Sequence, residues 1–328
     1  MPEQKTPDLW ELSDLRTPWC IRVAATLRIA DHIAEGIEQI DDLAAITNCD
    51  PYALHRVLTL LVNKGLFEEP VPGRFILNEA ARGLLDPAQR IGLDLNGIGG
   101  RLAYAWGTLP DYVRTGQAAY QQAFGLSFWE DLDSNPEIAA SFDALIGPTG
   151  HDTPNPDFDL TGGWEAIRTV IDVGGGTGAM LAQILRKWPQ IQGTLVDLPR
   201  TVALSAEVFR EAGVSERATT LGQSFFDPLP PGADLYLLRG ILNDWPDREA
   251  LAILQRCAEA AQPNGRVVIL KGMTTDDAPL ELSIEMVLLG GKQRALSEMQ
   301  AHARQAGLEV LAAGDQSSGY FVMECRPA

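Results

Sequence analysis

Positive charge is scarce in this 328-residue chain: 26 lysines and arginines stand against 44 aspartates and glutamates, for a net charge of −18. A nucleic-acid partner is therefore not expected, because phosphate binding rests on clustered Lys and Arg. Histidine and cysteine are rare as well. His32, His55, His151 and His302 fall in no metal-ligand spacing, either with one another or with Cys20, Cys49, Cys257 and Cys325, so no metal is expected. The cysteines form no C-x-x-C pair and read as reduced, mostly buried thiols of a cytoplasmic protein. No apolar run approaches the roughly 20 residues that cross a bilayer, which argues against a membrane partner. Met1-Pro-Glu-Gln-Lys-Thr-Pro-Asp8 lacks the basic and apolar regions of a secretory signal. What is present suffices for a globular protein: 45% of residues are hydrophobic, and the length is typical of two domains.

The chain is organised around Thr169 to Leu185. Val170, Ile171 and Val173 have the look of a buried parallel strand. Gly174 to Gly178 can turn sharply and let another group approach the backbone. Ala179 to Leu185 then has helical spacing. Strand, glycine turn and helix begin a nucleotide-binding α/β unit, with unpaired N–H groups at the helix start. Gly174, Gly176 and Ala179 fit the weak dinucleotide pattern G-x-G-x-x-G/A. Two acids point elsewhere. Asp172 beside the glycines would repel a pyrophosphate but suits a cationic amino-acid tail. Asp197 ends the next apolar run, where it can take a ribose diol.

Residues 8 to 35 read as mostly helical, with Pro18 marking a break or the first turn of a new helix. Residues 40 to 67 read as a helix-turn-helix, with Asn48-Cys-Asp-Pro51 as the turn and Gly65 ending the second helix. A hairpin over 67 to 77 completes a winged helix. Its second helix carries only His55, Arg56 and Lys64 as cations, a poor footprint for DNA, so a packing or dimer-forming module is expected. Residues 80 to 150 read as helical and rich in aromatics, some of them core and some of them the wall of an apolar-ligand pocket. Residues 147 to 163 read as a break and linker. Strands are expected near 169–173, 193–197, 218–222, 234–238, 266–271, 307–312 and 319–325, with helices that include 246–261 and 295–306. The fold class is α/β: a Rossmann-like doubly wound domain at 161–328, a winged-helix dimerisation domain at 1–95, and a helical substrate-lining and linker region at 96–160.

The glycine turn with its two acids resembles the S-adenosylmethionine (SAM) methyltransferases. Over nearly its whole length the chain resembles the small-molecule O-methyltransferases of the plant caffeate type and their bacterial antibiotic- and polyketide-tailoring relatives. The segments that carry the resemblance are Gly125 to Pro136 with Phe142, Val170 to Gly178, Phe225-Phe-Asp-Pro-Leu-Pro230, Leu242-Asn-Asp-Trp245, Pro263-Asn-Gly265 and Gly290-Gly-Lys292. It implies a homodimer. It also places Gly174 and Gly176 under the methionine part, Asp197 on the ribose, and Leu198 beside the adenine. Ser224 stands where the family has an acid for the adenine amino group, followed by Phe225, and Arg239 stands where a Lys often lies. Phe124, Trp129, Phe142, Ile146, Trp245, Ile284 and Leu288 are implied to face an apolar, ring-containing substrate. Glu285 reads either as a polar contact to that substrate or, in preference, as an exposed helix acid.

The chemistry positions depart from the plant-type pattern. Asn243 stands where the family has its general-base histidine, before Asp244 and Trp245. Lys271 and Gln293 stand where two acids orient that histidine. Asn and Gln cannot take up a proton, but they can position a substrate. Lys271 reads as a base, as a charged group that polarises a carbonyl, or as a bystander whose side chain runs out to solvent. The first functional expectation is methyl transfer to a hydroxyl of an aromatic or polyketide-like product by proximity and alignment. S-adenosylhomocysteine would be the second product. The alternative is a non-methylating tailoring reaction, such as a pericyclic step or a hydroxylation, that uses Lys271 and the SAM cation.

Overall fold

The computed structural model describes residues 8–146, 154–279 and 281–328, so the expected break at 147–153 lies outside the described residues. The strands in chain order are β1 (Glu68–Val71), β2 (Arg74–Ile76), β3 (Thr169–Val173), β4 (Gln192–Asp197), β5 (Ala218–Gly222), β6 (Leu235–Arg239), β7 (Arg266–Leu270), β8 (Met273–Thr274), β9 (Arg294–Ala295), β10 (Leu308–Asp315) and β11 (Phe321–Pro327). The chain divides into two compact units. One holds the chain up to Tyr104 together with Leu132–Leu145. The other holds Ala105–Asp131 and the chain from Ile146 onward. The helical middle of the sequence is therefore shared between the units instead of forming a segment of its own.

In the second unit, seven strands form one sheet in the order β10-β11-β7-β6-β3-β4-β5. β7, β6, β3, β4 and β5 are parallel, while β11 and β10 are added antiparallel. The central parallel strands β3, β6 and β7 are buried on both faces, while β5 at the edge is largely exposed. Val170, Leu235, Leu237, Val268 and Leu270 face one apolar cluster with the helix Ala179–Lys187. Ile171, Val173, Tyr236, Leu238, Val267 and Ile269 face another with the helices Asp247–Ala260 and Leu296–Gln305. This two-sided burial is why the strands read as continuous apolar runs. Strand order reverses at the β3–β6 neighbours, so the turns after β3 and β6 emerge side by side at the carboxyl edge, where α/β sheets bind ligands.

In the first unit, the helices Ile40–Ile46 and Pro51–Asn63 and the β1–β2 hairpin share a core of Leu43, Leu54, Leu58, Leu61, Phe67 and Phe75. Asp50 caps the second helix by accepting from Ala53 N–H at 2.8 Å, and Pro51 occupies its first turn. Pro18 breaks nothing: it lies in the first turn of a helix over Arg16–Thr26, where its missing N–H would be unpaired anyway. Among the described residues, no helix is long and apolar enough to cross a membrane.

Candidate active site

The glycine turn after β3 is closed by the tip of β4. Asp197 Oδ2 accepts from Gly176 N–H at 2.8 Å, and its Oδ1 accepts from Leu198 N–H at 2.7 Å. Burial pushes this carboxyl above the usual range, and those two N–H groups pull it the other way. Gly174 and Gly176 both have left-handed backbone, at φ 69° and 61°. At Gly174 a Cβ would lie 2.7 Å from Ile241 Cδ1 and 3.3 Å from the Phe225 ring, whereas nothing lies within 4 Å of one at Gly176. Asp172 is fully buried beneath Gly175, and neither carboxylate oxygen has a hydrogen-bond partner among the described residues. Burial pushes its carboxyl up to about 7, partly offset by the charge of Arg239 at the end of β6.

The loop after β5 supplies a second wall. Ser224 Oγ accepts from Phe226 N–H at 3.2 Å, and Phe225 stands against Gly174. Trp245 packs edge-on against the rings of Phe225 and Phe226, with centroids 5.8 and 4.9 Å away. This residue, expected at the substrate, thus ties the chemistry turn to the loop that holds Ser224 and Phe225.

The turn after β6 is a single helical turn over Leu242–Asp244. Asn243 Nδ2 donates to Asp244 Oδ1 at 2.8 Å. Asn243 Oδ1 is buried against Gly272, where a Cβ would lie 2.6 Å away, and has no hydrogen-bond partner among the described residues. Burial, and then the charge of Glu285, push the Asp244 carboxyl up to about 7. Glu285 itself is half-buried, so it is not the exposed helix acid that its position in the sequence suggested. Gln293 is half-buried and immediately precedes Arg294, which pairs with Met273 between β8 and β9.

Lys271 is placed differently. Its backbone is left-handed (φ 64°), which ends the alternation of β7, and its Nζ stands 5.8 Å from the centroid of the Tyr320 ring. Tyr320 belongs to the cluster on the Val268 and Leu270 face of the sheet. Leu242, just before Asn243, belongs to the opposite cluster.

The helix Ile284–Leu289 packs against the Leu242–Asp244 turn, the helix Tyr120–Phe124 and the short helix Trp106–Thr108. Ile284 and Leu288, four apart, share one helix face, and Leu288 is buried. Phe124 packs against Tyr120 with tilted rings at 4.3 Å, Trp129 meets Phe128 at 5.1 Å, and the Tyr120 hydroxyl donates to Asp131 at 2.7 Å. Of the remaining substrate candidates, Phe142 lies in the first unit and Ile146 begins the last stretch of the second. Sequence reasoning missed Arg294, a fully buried arginine whose guanidinium reaches the backbone of the chemistry turn. Its only signal was its place after Gly290-Gly-Lys-Gln293.

Comparison with known proteins adds to this geometry. Residues 106–309 match the O-methyltransferase domain family, and residues 10–87 match the O-methyltransferase dimerisation domain. The chain is 40% identical over 312 residues to 2,7-dihydroxy-5-methyl-1-naphthoate 7-O-methyltransferase of Streptomyces carzinostaticus, covering 92% of each chain. It is 37% identical over 326 residues to aclacinomycin 10-hydroxylase RdmB of Streptomyces purpurascens, covering 95% of this chain and 86% of that one. Among solved structures it is similar to NcsB1, an O-methyltransferase from neocarzinostatin biosynthesis, in complex with SAM and 2-hydroxy-5-methyl naphthoic acid. That similarity has a TM-score of 0.85 and 39% identity, and covers 99% of this chain and 100% of that one.

Proposed function

The chain belongs to the O-methyltransferase family, and from that premise we propose that it transfers a methyl group from SAM to a hydroxyl of an apolar, fused-ring aromatic natural product, releasing S-adenosylhomocysteine. One observation carries the reading. The glycine turn after β3, the Ser224–Phe225 loop and the turn after β6 converge on Gly174, with Ile241 and Phe225 both pressed against it. This convergence supports a reading in which cofactor and acceptor meet at one point of the sheet edge.

The residues fit the cofactor. Each oxygen of Asp197 already accepts one backbone N–H and keeps lone-pair capacity for a ribose hydroxyl. Ser224 can accept from an adenine amino group. The orphaned, buried carboxyl of Asp172 suits a cationic tail, whose approach would favour its ionised form. When bound, SAM supplies a methyl group on a sulfonium, an already activated leaving group.

The chain's own part is alignment and proton handling. Ile284 and Leu288 give the acceptor an apolar wall beside the turn, and holding the reactants in line can supply roughly 7 kcal/mol or more of the barrier reduction. Asn243 cannot accept a proton, but its amide fixes the Asp244 carboxyl. With its carboxyl near 7, Asp244 can accept a phenolic proton at Oδ2 close to neutrality. We place the protein in the cytoplasm, as a homodimer paired through residues 10–87.

One observation favours a second reading: the 37%-identical relative is named a hydroxylase. Mass spectrometry of the protein incubated with SAM and hydroxynaphthoic acids decides between them. A product one methyl heavier, with S-adenosylhomocysteine formed in equal amount, is the expected result. A product that gains oxygen or isomerises while SAM stays intact would overturn methyl transfer.

A further inference from the structure

Arg294 is fully buried at the start of β9, just after the loop that follows the helix Ile284–Leu289, and no other arginine or lysine is buried among the described residues. A buried guanidinium is costly unless its donors are used. Here Nη1 donates to Leu242 O at 2.6 Å and to Lys292 O at 3.2 Å, Nη2 donates to Trp245 O at 2.8 Å, and Nε donates to Asp247 Oδ1 at 3.0 Å. Two of these carbonyls bracket Asn243 and Asp244. One of the two carbonyls between them, Asn243 O, accepts from Lys292 N–H at 2.9 Å. A Cβ at Gly291 would strike that same carbonyl, so the loop backbone lies directly on the turn. The partners of Arg294 are thus the turn, the loop residue Lys292 and the first residue of the helix Asp247–Ala260, not the sheet core.

We propose that Arg294 is a positioning residue for methyl transfer. Its planar fork spans Leu242 to Trp245 and so sets where Asn243 and Asp244 present their side chains, while tying them to the loop that follows Leu288. The inference rests on the methyl-transfer reading. A flexible ammonium cannot reproduce a planar fork that reaches both carbonyls at once. Asp247 holds the guanidinium from outside, with Lys292 also paired to it at 3.2 Å.

The test compares Arg294→Ala and Arg294→Lys with the unmodified protein, using SAM and a dihydroxynaphthoic acid. The readouts are kcat, KM, calorimetric affinity for S-adenosylhomocysteine, and backbone amide exchange over residues 240–246 and 290–295. Arg294→Ala is expected to lower kcat by about 100-fold, the scale of a small misplacement of reacting groups. KM and S-adenosylhomocysteine affinity are expected to stay within about threefold, because the loss falls on the transition state. Exchange should rise in those two segments alone, and guanidinium ion at tens of millimolar should restore part of kcat. Arg294→Lys should fold, show the same exchange pattern and keep the kcat defect, which preserves the comparison if the alanine variant does not fold. A kcat within about twofold of the unmodified protein would overturn the proposal. A loss without rescue, in step with lost cofactor affinity and lost folding in both variants, would also overturn it. If the unmodified protein binds S-adenosylhomocysteine but methylates nothing, the functional reading fails, and unchanged exchange in the two segments would then sink the positioning role on its own.

Discussion

Replacing Gly174 and Gly176 separately by alanine should expose two different reasons for a glycine. Both have left-handed backbone, at φ 69° and 61°. That conformation costs an L-residue roughly 1–2 kcal/mol, partly offset by the lower entropy of the unfolded alanine chain. At Gly176 the added methyl meets open space, so Gly176→Ala should cost only about 1 kcal/mol. At Gly174 it would lie 2.7 Å from Ile241 Cδ1 and 3.3 Å from Phe225, so both must retreat. Overpacking of that kind adds about 1–3 kcal/mol, for a total of about 2–4 kcal/mol. Because Ile241 leads into the Leu242–Asp244 turn, Gly174→Ala should also lower kcat beyond any loss of cofactor affinity. Urea unfolding of the cofactor-free protein gives the first comparison, and S-adenosylhomocysteine calorimetry with steady-state kinetics gives the second. The reasoning is refuted if the two variants are equally destabilised, since the close approach at Gly174 would then cost nothing.

Asp197→Asn removes the charge from the carboxylate that accepts the Gly176 and Leu198 N–H groups and should weaken SAM binding by about 10- to 100-fold, read by calorimetry, as expected for a hydrogen bond to a charged group. The carboxyl of Asp244 is pushed up to about 7, so its ionised, proton-accepting form gains population as pH rises through that value. Methylation should therefore climb with pH to a plateau above about 7. In Asp244→Asn the step should vanish, and a step that persists would assign it to the acceptor's own hydroxyl.

The centre of the sheet was legible because β3 and β7 are buried on both faces and so appear as the apolar, β-branched runs at Val170–Val173 and Val267–Ile269. Helix starts were legible where a capping residue advertises them, as at Asp50 and Pro51. The meeting of Asp197 with the glycine turn was legible, because the spacing follows from the strand-turn-helix geometry. Three features were not. Division of the helical middle between two units depends on tertiary packing, which no periodicity encodes. The turning of Trp245 onto Phe225 and Phe226 depends on a loop twenty residues away in sequence. Arg294 reads as one more surface cation until its carbonyl partners are in place.

The left-handed backbone at Lys271 bears on how this chain could be re-engineered. A designer wishing to install a histidine base at Asn243 would look to position 271 for its orienting acid. That side chain instead reaches toward Tyr320, on the far side of the sheet from the Leu242 cluster. An acid placed there by substitution alone would inherit the same heading. A histidine with its orienting acid therefore cannot be installed one residue at a time; the strand end at 271–272 would have to be rebuilt first.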